Sequence, residues 1–523
     1  MSHIPNPVVI FSTGALLLVA TILFGWVLVP KFIQDQIRDQ VKLRNGTEVF
    51  EKWVNVPIPI YFKVYLFHVT NPEDVAKGQD PKLLEKGPYV FRELREKIEL
   101  QENIAEGIVK YKERVTYFFD PERSEGLSEN DELTILNIPY VAMAQKVSEL
   151  TYPLNTIGTT YIVKFKQTPF IKKTVREILF QGWHVPMVAE LSEFLDQELM
   201  PNNTFGLFYG KNGTDDGFLE ADAGLSSVEN FGKIVSWRGH KELSWWKEGS
   251  HCNELLGTDG SIFPPFVTKK RVLRIFNAEL CRSLFLTFQK EVTFLGIPAY
   301  RFTAPKEMLE DPRTNVDNQC YCLEDELEDC IRGGALDLGT CRDGAPVAMS
   351  TPHYLDGFEG YNNKSGLIPD REKHGTIVDI EPTTGIVLHA HKRIQINIIL
   401  KPVGSIRSLS KMPDMFFPVV WADETAELDE ELAQQLKSQL ITPLITLEIT
   451  KWAVFGISLL LIFSACLRWV SRPKPERHDP ESTDKMLQVD GISFNANNGT
   501  RIIRSEKELS KDKISAPLRP FLT

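Results

Sequence analysis

The sequence carries no catalytic signature. Its 523 residues hold no nucleophile elbow, phosphate-binding loop, dinucleotide fingerprint or H-E-x-x-H. Carboxylates are plentiful, yet no pair is set apart for acid–base work. No enzyme and no cofactor are therefore expected. Positive charge is also short: 59 Lys and Arg against 70 Asp and Glu leave a net charge of −11. That sign excludes a general nucleic-acid binder. Low-complexity linkers and fixed-period repeats are missing from residues 30–451, which reads as one large domain. With 42% hydrophobic and 25% charged residues, the bulk is globular rather than disordered. A mean hydropathy of −0.17 rules out a polytopic membrane protein but leaves room for one or two spans.

Two uncharged apolar runs fill that room. Val8 to Val29 (VVIFSTGALLLVATILFGWVLV) would make a helix of about 33 Å, enough for a hydrocarbon core of about 30 Å. A cleaved signal peptide is the alternative, but no Lys or Arg precedes the run and no A-x-A-like site follows it. Trp452 to Val470 is the second run, with Trp452 and Trp469 placed as interfacial aromatics and Lys451 and Arg468 near its ends. A buried core helix is the alternative here. Arg468, Arg472, Lys474 and Arg477 predict a cytoplasmic C-terminus, hence a cytoplasmic N-terminus too. Lys31, Arg38, Lys42 and Arg44 point the other way, but long loops translocate largely regardless of charge. The expected division is a cytoplasmic 1–7, a span at 8–29, an ectodomain at 30–451, a span at 452–470 and a cytoplasmic tail at 471–523. The expected residence is the plasma membrane, or an endosomal or lysosomal membrane.

Sequons and cysteines favour a translocated loop. N-x-[ST] occurs at Asn45, Asn202, Asn212 and Asn363, and again at Asn498 in the tail, where it should go unused. Six of seven cysteines lie in the loop: Cys252, Cys281, Cys320, Cys322, Cys330 and Cys341. An even set there implies disulfides, with fifteen pairings open. Zinc is a rival reading, but the spacing fits paired C-x₂₋₄-C poorly. Cys466, at the inner end of the second span, is a palmitoylation candidate or a plain small apolar residue.

Along the loop, strands are expected at Tyr61 to Val69, from Gly87-Pro88 into YVFRE, and at Ile108 to Phe119, with Lys110, Lys112 and Arg114 on one face. A long hairpin is expected over Gly375 to Ile380 and Ile386 to Leu400, turning at Pro382-Thr383-Thr384-Gly385. Helical spacing covers Asp131 to Glu149, Thr174 to Leu199 and Glu424 to Gln439. The order suggests an α+β body, an antiparallel barrel or sheet with a helical insertion. His389 and His391 share a strand face; a metal pair is one reading, ordinary surface histidines the plainer one, and no metal site is expected. Asp215-Asp216-Gly217 lacks the remaining ligands of a calcium loop and reads as a turn. Lys164, Lys166, Lys172 and Lys173 cluster within ten residues, interleaved with Phe165, Phe170 and Ile171. Such a patch attracts anionic lipid head groups or acidic partners, unless it is simply a solvated face.

Longer motifs add a family. VYLFHVTNPED at 64–74, GPYVFRE at 87–93, TFGLFYGKNGTDDG at 204–217, HCNELLGTDGSIFPP at 251–265, LCRSLFLTF at 280–288, CRDGAPVAMSTPHY at 341–354 and KRIQIN at 392–397 occur in order between the two spans. On these the chain resembles the class B scavenger receptor family, with its fatty-acid-translocating, lysosomal and sensory-neuron groups. LRNGTEVFEKW at 43–53 looks most like the lysosomal group. The resemblance implies an α+β ectodomain with an antiparallel β-barrel core, a three-helix bundle at the membrane-distal apex, an internal apolar tunnel and two transmembrane anchors. It implies the pairs Cys252–Cys320, Cys281–Cys341 and Cys322–Cys330. It aligns Lys164 and Lys166 with basic apex positions that bind anionic ligands. The implied function is capture of lipids or lipoprotein particles (fatty acid, sterol, carotenoid or phospholipid) and passage of lipid to the membrane. The alternative is sorting or phagocytic docking of a protein or an anionic surface at the apex. Two departures count against the lysosomal role. The stretch around Leu150 and Thr151 has no histidine, and the tail has no tyrosine and no clean acidic-dileucine signal.

Overall fold

Alternation in the sequence becomes a sheet. Ile60–Val69 buries Ile60, Phe62, Val64 and Leu66 and turns the residues between them to the other face. The computed structural model describes residues 6–195 and 199–471. Fourteen antiparallel strands form its main sheet. Its path runs Ile234–Trp237, Leu219–Asp222, Ile108–Phe119, Leu83–Asn103, Ile60–Val69, Met415–Glu427, Val387–Leu400, Ile377–Ile380, Ile297–Thr303, Arg282–Phe294, Leu273–Asn277. The first and last strands of this path are stitched together by one short segment. Ile234 N–H donates to Gly257 O (2.8 Å), Thr258 N–H to Arg274 O (3.1 Å) and Phe276 N–H to Thr258 O (2.9 Å). The sheet is thus a nearly closed barrel, which hides its edges from other chains. Gly257 is obligatory there: its φ is +91°, and a Cβ would lie 1.9 Å from Arg274 O.

One end of the barrel is capped by helices. Ile138–Ser148, Leu154–Lys164 and Pro186–Leu195 form this cap. Tyr140, Val141 and Ala144 join one core cluster with Val64, Leu66, Ile398 and Leu400 of the strands. Sequence periodicity overstated these helices. Residues 132–136 are a strand, Glu132–Leu136, paired with Phe170–Thr174. Leu133 and Ile135 are buried at period two, and Pro139 sits in the first turn of the following helix. Within 174–199 there is a π turn (Glu177–Gln181), a two-residue strand and a helix beginning only at Pro186. Gly182 (φ +71°) ends the first of these. Residues 424–427 remain strand, and the helix expected there begins at Glu430.

At the opposite end, where Ile60 pairs with Ala426, the chain passes into two long helical segments, Pro7–Gln40 (34 residues) and Glu430–Val470 (41 residues). Both are long and apolar enough to cross a membrane. They pack antiparallel. A Cβ on Gly14 would meet Ile462 at 2.9 Å and one on Gly25 would meet Lys451 at 2.8 Å, while Trp26 abuts Trp452 edge-on at 5.5 Å. Small residues at the seam (Gly14, Thr21, Ser458, Ala465) permit this approach. Leu16, Val19, Leu460 and Phe463 face outward, as a lipid-facing surface requires. Disulfides join Cys252–Cys320, Cys281–Cys341 and Cys322–Cys330, with sequence separations of 68, 60 and 8. Cys466 is free and exposed. Arg472, Lys474, Arg477, Asn498 and the tail reading all lie outside the described residues.

Candidate functional site

Two surfaces stand out, one on the cap and one inside the barrel. On the cap, Leu154 and Ile157 of the Leu154–Lys164 helix, with Leu150 and Tyr152 just before it, form an apolar stripe that faces out rather than in, while Tyr161 packs against the core. Leu154 is 56% exposed, Ile157 62% and the neighbouring Tyr152 82%. Helices that buried this stripe within the fold would gain roughly 1.5–3 kcal/mol per large side chain. Leaving it uncovered marks a contact surface.

The four predicted lysines flank this crest, and their partners change their meaning. Lys164 ends the Leu154–Lys164 helix and pairs with Glu190 at 2.7 Å. Lys172 and Lys173 lie on the Phe170–Thr174 strand, not on a helix, and pair with Glu132 (2.5 Å) and Glu177 (2.9 Å). Lys173 also sits over the Trp183 ring at 5.4 Å. Only Lys166 of the four is exposed with no carboxylate partner among the described residues. The patch is therefore a largely neutralised ion-pair rim around an apolar crest, with one unpaired cation. Three of the partners come from distant sequence or another element, so the residue count alone overstates the field.

Below the cap, the barrel interior changes character from apolar to ionic. First comes an aromatic cluster. Phe62, Phe91, Tyr117, Phe119, Phe180 and Phe208 contact one another at centroid distances of 5.0–5.7 Å. Most pairs are edge-to-face or tilted, the arrangement that ring quadrupoles favour. Ala422, opposite Val64 on one neighbour and Ile394 on the other, is the small residue of this region.

An ionic belt follows, beginning two residues past Phe91 on Leu83–Asn103, two past Ala422 on Met415–Glu427 and four from Tyr117 on Ile108–Phe119. Glu93, Arg95 and Lys97 alternate inward on Leu83–Asn103. Arg95 donates to Glu93 (2.5 Å), Glu424 (2.7 Å) and Glu113 (3.3 Å). Lys97 reaches Glu113 at 3.0 Å and Asp259 at 3.5 Å, and lies 4.9 Å above the Trp53 ring. Lys392 joins Glu424 at 3.0 Å. Burial alone would favour the neutral form of the carboxyls. For Glu424, Arg95 and Lys392 outweigh burial and bring its carboxyl down to about 2. For Glu93, burial wins and Glu424 adds to it, so its carboxyl is pushed up despite Arg95. The buried Glu93 Oε2 has no hydrogen-bond partner. Although enclosed by the sheet, the side chains of Arg95, Glu424 and Lys392 keep 17, 20 and 31% of their surface accessible.

The remaining predicted residues fall elsewhere. Asn45, Asn202, Asn212 and Asn363 are all on the exposed surface. Asn212 also holds the barrel, accepting from Tyr117 N–H (2.9 Å) and donating to Tyr117 O (3.2 Å). His389 and His391 lie on the barrel face opposite the ionic belt. Sequence reading missed the belt: in F-R-E-L-R-E-K, Glu93, Arg95 and Lys97 share the inward face with Phe91, but Arg92 and Glu96 lie with Leu94 on the other, so charge on both faces hides the inward set.

The CD36 family profile matches residues 12–469. Lysosome membrane protein 2 of Homo sapiens is 34% identical over 442 residues, covering 84% of this chain and 89% of its own length. Sensory neuron membrane protein 2 of Anopheles gambiae is 31% identical, covering 86% and 90%. Scavenger receptor class B member 1 of Rattus norvegicus is 31% identical, covering 83% and 84%.

Proposed function

The chain belongs to the CD36 family, and on that premise we propose that this receptor captures lipid or lipid-bearing particles on its apical crest and conducts lipid through the barrel toward the membrane. The observation that carries the reading is the interior: an aromatic cluster adjoining ionic side chains that remain partly accessible although the sheet encloses them. Physical need supports it. Moving a CH₂ group into water costs about 0.8 kcal/mol, so a 16-carbon chain faces on the order of 12 kcal/mol in free solution. An apolar conduit removes most of that barrier. The ionic belt then serves the head group, which an all-apolar bore would strip of hydrogen bonds. Flow follows the gradient; the role is non-enzymatic and uses no cofactor. Residues 30–451 form the extracytoplasmic part, both termini are cytoplasmic, and the membrane is the plasma membrane or an endolysosomal one.

A second reading is protein or anionic-surface docking at the apex without lipid flux. The uncovered stripe of Leu150, Tyr152, Leu154 and Ile157 favours it, because three of the four lysines beside it are already paired. One experiment separates the two. Ala422→Trp obstructs the proposed bore beside the aromatic cluster, and the pair Leu154→Asp with Ile157→Asp spoils the crest. At matched surface levels, uptake of a fluorescent lipid from donor particles should fall in both, while particle binding falls only in the crest variant. Unchanged uptake in a folded Ala422→Trp variant would refute the conduit and leave docking.

A further inference from the structure

The barrel face opposite the ionic belt carries a histidine cluster that the receptor reading does not use. His389 and His391 are two residues apart on Val387–Leu400, so both rings leave the same face. Across one neighbour, His389 lies opposite Glu427 and His391 opposite Thr425; across the other, His389 lies opposite Asp379. Each ring is held through Nδ1. His389 Nδ1 is 3.2 Å from Asp379 Oδ2, and His391 Nδ1 is 2.8 and 2.9 Å from the Asp423 oxygens. An ionised carboxylate only accepts, so each Nδ1 carries the hydrogen, and a neutral ring then presents its lone pair at Nε2. The aspartates are fixed in turn. Arg301 grips Asp379 through two bonds of 2.7 Å, and Arg393 Nε donates to Asp423 at 3.1 Å. Phe294 stacks on the His389 ring at 5.0 Å, which limits its rotation.

The third member is Glu427, whose carboxylate lies 3.5 Å from His389 Nε2. One potential donor atom from each of His389, His391 and Glu427 lies within 4.8 Å of the others. A tetrahedral zinc with bonds near 2.0–2.1 Å has donor–donor edges of roughly 3.3 Å. The His389–Glu427 edge is already close to that length. Glu427 is half exposed and, among the described residues, pairs with His389 alone, so its rotation can close the rest. Carboxylates behind both imidazoles are the outer partners that orient metal-binding histidines and raise their basicity. Among the described residues the other such cluster, His251 with Cys252 and Cys320, has both sulfurs in a disulfide.

We propose that His389, His391 and Glu427 bind a zinc-class divalent ion, with Asp379 and Asp423 as the orienting outer partners. Three protein donors leave one position for water, and imidazole with carboxylate selects zinc and its neighbours over calcium or magnesium. The ion fastens Val387–Leu400 to the end of Met415–Glu427, three residues before the helix Glu430–Val470. It thus braces the junction between barrel and second terminal helix.

The test uses the full chain in lipid nanodiscs, stripped with chelator and dialysed against zinc chloride. One tightly held zinc per chain is expected, with a rise in Tm, and cobalt in its place should give the visible bands of a tetrahedral site. His389→Ala with His391→Ala should lose that zinc. Asp423→Asn, which leaves all three ligands in place, should weaken it about 10- to 100-fold. Glu427→Gln alters only an exposed side chain, so it folds if the histidine variant does not; it should weaken zinc and change the cobalt spectrum. No bound zinc in the native chain, or zinc retained undiminished in Glu427→Gln and Asp423→Asn, would overturn the proposal.

Discussion

His374 offers the sharpest test of how burial acts on this fold. It ends the short helix Arg371–His374, is buried, and its Nδ1 accepts the Asp370 N–H at 2.9 Å. The His353 ring lies 4.0 Å away and Trp421 5.6 Å away. Burial, then the charge on His353, bring the His374 pKa down from 6.5 to about 4; Glu85 and Asp370 oppose this, and Arg393 adds to it. Protonation would also force Nδ1 to give up the Asp370 N–H. Between these two pKa values the unfolded chain binds more protons than the folded one, so stability rises with pH across that window and is lost on acidification. Going from a pH of about 7.5 to about 5 should remove about 2 kcal/mol.

Asn at this position keeps an acceptor near Nδ1 but does not titrate. His374→Asn should therefore be less stable by a roughly constant 1–3 kcal/mol at neutral pH, for the lost ring contacts, and lose much less on acidification. Native-state hydrogen exchange of the amides of residues 370–376, corrected for intrinsic rates, gives the opening free energy at both pH values. The gap between native chain and variant should shrink by about 2 kcal/mol at the lower pH. A gap that stays constant would refute the reasoning, since it would mean that His374 takes up its proton equally in both states.

Three further outcomes follow from the same structure. Gly257→Ala places a Cβ against Arg274 O at the seam that closes the barrel; it should cost at least about 3 kcal/mol, read as lost surface expression or a lowered Tm. Replacing Cys281 and Cys341 by serine opens a loop spanning 60 residues and should cost about 4 kcal/mol in the chain-entropy model, measured by denaturant unfolding without reductant. Glu93→Gln removes a carboxyl whose pKa burial raises. The contribution of Glu93 is present below its unfolded pKa and fades as pH rises, so the variant should gain on the native chain from acid to neutral pH in paired Tm scans.

Local signals made much of this legible. The strands Ile60–Val69, Ile108–Phe119 and Val387–Leu400 announce themselves by alternation, and the terminal helices by length and lack of charge. What failed was tertiary in origin. Glu132–Leu136 reads as the start of a helix because its leucines and isoleucine run straight into the apolar face of Ile138–Ser148; only the partner strand, 34 residues on at Phe170, makes it a strand. The lysine patch was visible as four cations. Its neutralisation was not, since Glu190 and Glu132 are brought in by the fold. Inversion of the Glu93–Lys97 face was not readable, because charges at period two normally mean a solvated face, and nothing local says that this one turns inward.

That inversion also supplies the clearest discrimination between scaffold and conduit. Buried ion networks are weak contributors to stability, because desolvation cancels most of the attraction; apolar replacements of similar volume are often neutral or stabilising by about 1–4 kcal/mol. If the belt only holds strands together, Lys392→Met with Glu424→Leu should therefore be tolerated in stability, with Arg95 still paired to Glu93 and Glu113. If the belt carries head groups, the same variant should fold well and still slow lipid transfer, most for lipids with the most strongly hydrated heads. Tm and transfer rate measured on one preparation separate the cases. A stable variant with undiminished transfer for charged and neutral lipids alike would make the belt structural. A stable variant that passes sterol but not phospholipid would place head-group selection at Lys392 and Glu424, below the aromatic cluster rather than at the apex.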